Sequence, residues 1–574
     1  LVNPGTPNLR VGIVAPDNKA LNLGHIVADS GRVGIYAGLI NHSGTIRADS
    51  AQVTDDGRII LAATKNVTLE PTSVLSASGA KGGTITVLGG ETANIAGRLD
   101  ASAPNGGDGG FVETSGANVT IDPSTVVTTM APYGKTGTWL IDPPDFTIAL
   151  VGGDITGAGL STNLGLTSVV INSNLGATIG SGDIFVNDAV SWSSAFSLTL
   201  TAIRNVNVNS SITNTGGATV KLYAGWCDPT ICTVGNTPQT PVINAGSGQI
   251  VLSAPVSVTS GGLPAGQVWL TAGSTISQAA AAPVTADQLL AASTGGDVLI
   301  NLATNQVNTL AGSATGEFLF KNGRPLTIGS VNGVNGITVD ASSGPVSISV
   351  EVTGSGLLSV NNDVRATTSG SNDAATITLL SGTGGITVSG ATVRAQAGGG
   401  DSSGGEATVT LRTAGAIDIN NGAVEAQGGS PSCCSWAGGN ATVRLIAPDG
   451  ITVRQASSVE ARGGRAGSSG GSQGGHATVE LCAGTYTTGC NASTSAGGIA
   501  INGSSVLAKG GDASSGIGGN ATINLTAGSG GVPGIGITVD GSTVRASARA
   551  DFNRGQHWYR VRQLPVRVGG ARRT

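Results

Sequence analysis

The sequence predicts an all-β chain wound as a right-handed, single-stranded parallel β-helix, a solenoid of stacked coils. Three observations carry this expectation. A unit of three short strands recurs five times, its Ala-Thr starts falling at Ala375, Ala407, Ala441, Ala477 and Ala521. Within each strand apolar and polar residues alternate, the period of a half-buried strand. The 574 residues include 93 glycines but only 3% aromatic and 11% charged residues, a composition rich in turns and poor in helix-packing side chains. Successive starts lie 32, 34, 36 and 44 residues apart, so the strands keep their pattern while the connections vary, as in stacked arrays.

Each unit opens on a strand such as Ala407-Thr-Val-Thr-Leu411, in which Ala407, Val409 and Leu411 point one way and both threonines the other. A second strand is centred on Ile386, Ile417, Ile451, Ile499 or Ile537. A third ends in Val393-Arg-Ala395, Val424-Glu-Ala426, Val459-Glu-Ala461, Val506-Leu-Ala508 or Val544-Arg-Ala546. One coil alone cannot bury its apolar side, so neighbours stack. Stacking predicts a ladder of Thr408, Thr442, Thr478 and Thr522, with Arg394 over Glu425 and Arg444 over Glu480, each pair worth roughly 0.2–1 kcal/mol. Val424, Val443 and Ile451 are expected inside, and Glu425, Arg444 and Thr452 outside. Parallel strands joined by crossovers wind right-handed. The Gly-rich segments between units read as turns, with Gly-Gly at their exits.

Upstream the pattern is looser. Residues 1–148 read as β-helix coils that end in Gly137-Thr-Trp-Leu-Ile-Asp-Pro143. Residues 149–365 are less regular coils, with strands near Ile184, Leu198, Val220, Ile250, Val268, Val298, Phe318, Ile337, Ile348 and Leu358. Residues 366–548 are the regular Gly-rich repeats, and 549–574 a basic tail read as disordered. Trp139 is expected to plug the end of a core column, with Asp142-Pro-Pro144 turning the chain out of it.

The net charge is −5, unevenly placed: residues 551–574 hold six arginines and one aspartate, which leaves the remainder near −10. An acidic body argues against nucleic-acid binding by phosphate neutralisation. No apolar run is long enough to span a bilayer.

Gly109-Gly-Phe-Val-Glu-Thr-Ser-Gly116, followed by Gly137-Thr-Trp-Leu-Ile-Asp-Pro143 and Phe146-Thr-Ile148, resembles the filamentous haemagglutinin-like exoproteins of bacterial two-partner secretion. The resemblance is strong over residues 31–148 and continues more loosely through Trp192, Leu198-Thr-Leu200, Ser211-Ile-Thr-Asn214 and Ile276-Ser-Gln278 to Ile328. It implies an adhesin at the bacterial surface or outside the cell, exported through the periplasm by an outer-membrane two-partner secretion transporter. Its targets would be glycans or receptors on host or neighbouring cells, and the expected form is a monomeric rod. The family's Asn-Pro-rich secretion module is not found, and Met130 is the only methionine, so a fragment is expected. The alternatives are the stalk of a contact-dependent toxin-delivery protein and a β-helical polysaccharide-cleaving enzyme.

The chemistry of the side chains favours binding over catalysis. His25, His42, His476 and His557 lie in different contexts and carboxylates are scattered, so no enzyme, cofactor or metal is expected. The cysteines form three near pairs without C-x-x-C spacing, so a zinc site is not expected. Cys227 with Cys232, and Cys482 with Cys490, bracket short segments and are disulfide candidates for an oxidising compartment; small free thiols are the other reading. The residues after the Gly-Gly exits, Glu406, Asn440, His476 and Asn520, could stack into a polar stripe that meets sugars; the alternative is a solvated rim free to vary.

Overall fold

In the computed structural model the described residues are 10–13, 18–52, 57–173, 180–226, 241–468, 471–486, 490–491, 497–513, 516–527 and 536–548. Cys227, Cys232, His557 and the basic tail lie outside them. The chain divides into two compact units, Leu1–Leu289 and Leu290–Thr574, a division that falls inside the stretch of less regular coils. Each unit is a parallel β-helix.

In the C-terminal unit three strand columns run through successive coils. The first joins Val298, Phe318, Ile348, Ile377, Val409, Val443, Val479 and Ile523 in register. The second joins Leu326, Leu358, Ile386, Ile417, Ile451, Ile499 and Ile537. The third joins Ile337, Val364, Val393, Val424, Val459, Val506 and Val544. Val424, Val443 and Ile451 are buried, each contributing about 1.5–3 kcal/mol. Their neighbours Glu425, Arg444 and Thr452 are partly exposed. The threonine ladder forms as the alternation predicts. Arg394 approaches Glu425 at 4.0 Å and Arg444 approaches Glu480 at 3.4 Å.

The glycine segments are not simple turns, and this corrects the sequence reading. Gly429 donates to Gly405 O at 2.9 Å, Gly439 to Gly429 O at 2.8 Å, Gly464 to Gly439 O at 2.8 Å and Gly475 to Gly464 O at 2.9 Å. Gly511 and Gly519 extend the same zigzag at 2.9 and 2.8 Å. A Cβ on Gly439 would stand 1.9 Å from Gly405 O, and one on Gly464 would stand 1.8 Å from Gly429 O. Neither glycine has a positive φ. They are glycine because backbone lies against backbone, the reason collagen keeps glycine at its axis. All seven of these glycines are buried, so the coils have a second packed column made of peptide groups.

The N-terminal unit uses the same device. Gly57, Gly83, Gly110 and Gly137 each precede a strand of one column, and a Cβ on Gly83, Gly110 or Gly137 would meet the carbonyl of the glycine one coil earlier at 2.1, 2.0 or 1.8 Å. In Gly106-Gly-Asp-Gly-Gly110 only the first pair turns the chain, with φ of +134° and +64°; the second pair packs.

The main column of this unit runs through Val33, Ile59, Ile85, Val112, Trp139, Val169, Leu198, Val220 and Val268. Trp139 therefore sits within the column, between Val112 and Val169, and not at its end. After Asp142-Pro-Pro144 the strand Phe146–Ile148 starts a further column that continues through Ile184, Val206, Ile250 and Ile276.

A shorter column, Ile26, Ile46, Leu75, Leu99 and Val127, ends at strand Val126–Thr128. Its open edge is covered by a helix, Gly157–Asn163, which the sequence reading did not foresee. Thr156 caps the helix by accepting from Gly159 N at 3.0 Å. Asn163 then accepts from Val127 N at 2.7 Å and donates to Thr125 O at 3.0 Å, so the edge strand has a partner other than another chain.

Candidate functional site

The residues after the Gly-Gly exits stack into a hydrogen-bonded file. Asn440 Nδ2 donates to Glu406 Oε1 at 3.0 Å, His476 N donates to Asn440 Oδ1 at 2.9 Å, and Asn520 N donates to His476 Nδ1 at 2.9 Å. The four residues form one file because each follows a packed glycine by a single position, and the glycines hold register. His476 accepts at Nδ1, so its ring proton resides on Nε2. The side chains of Glu406, Asn440 and His476 each spend polar capacity on a neighbour, which makes the file a ladder tying coils together before it is a surface for ligands.

The cysteines lie nearby in sequence. Cys482 and Cys490 are bonded, closing the short antiparallel pair Thr485–Tyr486 and Cys490–Asn491. Cys433 and Cys434 are bonded to each other in the segment between Gly429 and Gly439.

The two signature motifs in the N-terminal unit meet directly. Thr114 of the first and Trp139 of the second lie in adjacent coils, both fully buried, and Trp139 Nε1 donates to Thr114 Oγ1 at 3.0 Å. Thr114 is the polar rung in a file of Ile35, Leu61, Val87, Ile141, Ile171, Leu200 and Leu222. A buried indole N–H needs an acceptor, and a hydroxyl one coil away supplies it. The motifs are thus one packing unit rather than a ligand site.

Each unit also has a concavity among the described residues. In the N-terminal unit a groove of about 500 Å³ runs along stacked corners at Glu70-Pro71, Ala96 and Asp122-Pro123, with Leu150 on its rim. Leu150 and the adjacent Val151 are exposed. Asp154, next to the groove, has its carboxyl pushed up to about 6, chiefly by burial; the Thr147 N–H opposes that shift and the nearby Asp145 adds to it. In the C-terminal unit a cleft of about 510 Å³ is lined by Asn335, Thr338, Asn361, Asn362, Asp363, Arg365 and Gly390. The sequence reading passed over this cleft. Its signal was the hairpin insertion at Asn332-Gly333 and the run Asn361-Asn-Asp363, at a corner where the next coils carry Gly390-Ala391 and Asn421-Gly422.

Among the described residues no group of three or more His, Cys, Asp or Glu side chains is placed to hold a metal ion. No described helix is long and apolar enough to cross a membrane. The chain matches no protein-family model and no curated protein.

Proposed function

We propose that this chain is part of an exported bacterial surface adhesin of the filamentous haemagglutinin-like kind, delivered by an outer-membrane two-partner secretion transporter. The observation that carries the reading is the Trp139–Thr114 hydrogen bond. It supports treating the two motifs as a shared way of building coils, since a chance pair of short matches has no reason to meet in the core. The bonded Cys482 and Cys490 support an oxidising compartment. Outward rungs of Thr, Ser, Asn and paired charges support a role in contact with other surfaces. The stalk of a toxin-delivery protein uses the same architecture and differs only in what is joined to it.

The test is adherence. Beads coated with the folded chain should bind epithelial cells or bacterial cells saturably, and free chain should compete. Adherence no greater than that of beads coated with heat-unfolded chain would sink the proposal. Turnover of polysaccharides by the chain would favour the enzyme reading instead.

A further inference from the structure

We propose that the cleft at Asn335, Thr338, Asn361, Asn362, Asp363 and Arg365 is a binding site for a neutral glycan. The proposal rests on the adhesin reading for its biological setting but stands on its own geometry. The corner that leads into the third strand column departs from the repeat here in two ways. One coil carries a small antiparallel hairpin, Ser330–Val331 against Val334–Asn335, turned by Asn332 and Gly333 with φ of +49° and +80°. The Asn-Gly pair suits such a turn because both positions need positive φ. The next coil places Asn361 and Asn362 at the matching corner, and the coil after that has Gly390, where a Cβ would meet nothing within 4 Å. A raised wall, a polar floor and an open far side make the cleft.

The lining chemistry selects the ligand. Among the described residues the side-chain amides of Asn335, Asn361 and Asn362 have no hydrogen bond within the protein, so each offers one acceptor and two donors to a ligand. Thr338 adds a hydroxyl. Asp363 is held in place: Oδ1 accepts from Thr392 N at 2.9 Å, and Oδ2 accepts from Arg365 Nε at 3.2 Å and Nη2 at 2.9 Å. This pair is electrically neutral, so the cleft has no spare cation for a phosphate or sulfate. Its one carboxylate already has three donors, which leaves little for a metal ion. No large apolar side chain lines it, unlike the usual pocket for apolar molecules. A ligand that both donates and accepts at closely spaced positions without charge fits, and the hydroxyls of a sugar ring do this. About 510 Å³ is within the range of small-ligand pockets.

Saturation-transfer NMR on the full chain tests this with lactose, N,N′-diacetylchitobiose and mannobiose, and with sialyllactose as a charged probe. Transfer to at least one neutral sugar is expected. The double variant Asn361→Ala, Asn362→Ala should weaken it by about tenfold, the loss of one or two hydrogen bonds. Asn361 is exposed and Asn362 half-buried, so the fold should survive. Unchanged thermal unfolding would verify that. No transfer to any neutral probe, or equal transfer to the double variant, would overturn the proposal. A chain that coats adherent beads but binds no sugar leaves the adhesin reading standing without this site. A chain that binds sugar but does not adhere leaves the site standing without the adhesin.

Discussion

Val443 and Gly439 stand four residues apart in one coil of the C-terminal unit, and opposite means hold them. Val443 is fully buried between Val409 and Val479, in a column that carries a large apolar side chain at every rung. Gly439 lies against Gly405 and Gly429 in a column that admits no side chain at all. The first column is held by water exclusion and dispersion, the second by peptide hydrogen bonds that form only when backbones come close. A solenoid can therefore close its coils with few large residues, provided that glycine marks the second seam.

The largest effect should follow from forcing charge into the first column. Val443→Asp would bury a carboxylate with no partner above or below it, at about 3–5 kcal/mol. Hydrogen exchange should show loosening at Val409 and Val479 before the coil at Phe318, because contacts are nearest-neighbour. Equal, simultaneous loosening throughout the unit would contradict that locality.

Next comes the second column. Gly439→Ala puts a Cβ 1.9 Å from a carbonyl oxygen and should cost at least the roughly 1–3 kcal/mol of an overpacked core. Two other glycines separate the causes. At Gly390 there is space but φ is +64°, so alanine should cost only about 1–2 kcal/mol. At Gly536 there is space and no positive φ, so alanine should be neutral or slightly stabilising, by about 0.4–1 kcal/mol. Urea unfolding of the three variants should rank them in that order. A Gly439→Ala variant as stable as the Gly536→Ala variant would remove the backbone column from the account.

A smaller effect belongs to the outer face. Glu460 is largely buried by its partners, Arg462 and Lys509, each at 2.7 Å. Burial raises its pKa, but hydrogen bonds and charge from the two cations outweigh that and hold the carboxyl below the ordinary glutamate value. A depressed carboxylate stabilises the fold above its unfolded pKa and loses that contribution as pH falls through the folded value. Glu460→Gln should therefore cost about 1–2 kcal/mol at pH 7. The gap between variant and parent should narrow as pH falls below about 4.3. A gap independent of pH would mean that packing, not charge, is what the substitution removes. Smallest of all, Arg444→Ser should cost less than about 1 kcal/mol, because its pair with Glu480 is partly exposed.

The two columns also differ in how legible they were. Alternation with a period of two named the inward residues of every strand in the repeat array, because a one-residue slip would put Arg444 and Glu425 in the core. Glycine carries no hydropathy signal, and runs such as Gly438-Gly439 have the composition of turns, so the second column went unread. A signal was present in the spacing. Gly398, Gly429, Gly464 and Gly511 each follow the third strand's alanine by three residues, and Gly405, Gly439, Gly475 and Gly519 each precede the Ala-Thr strand by two. The span between them varies while these offsets do not, which a turn free to vary would not require. The helix Gly157–Asn163 was missed for another reason: two glycines, a serine and a threonine in seven residues are weak helix formers, and the need to cover an edge strand overrides them. At Glu460 alternation alone gives an ordinary outward rung. The like-charged neighbour Glu425 in the coil before it and the cations that cover it appear only once the register is known.

Amide exchange at the glycines tests the central claim most directly, that these segments are a second packed column rather than loops. In the folded chain the N–H groups of Gly429, Gly439, Gly464 and Gly475 should exchange about as slowly as those of Val443 and Leu445. In Val443→Asp they should quicken together with their own coil's strands. Exchange of those four amides at the rate of an unstructured peptide, while the strand amides stay protected, would contradict it.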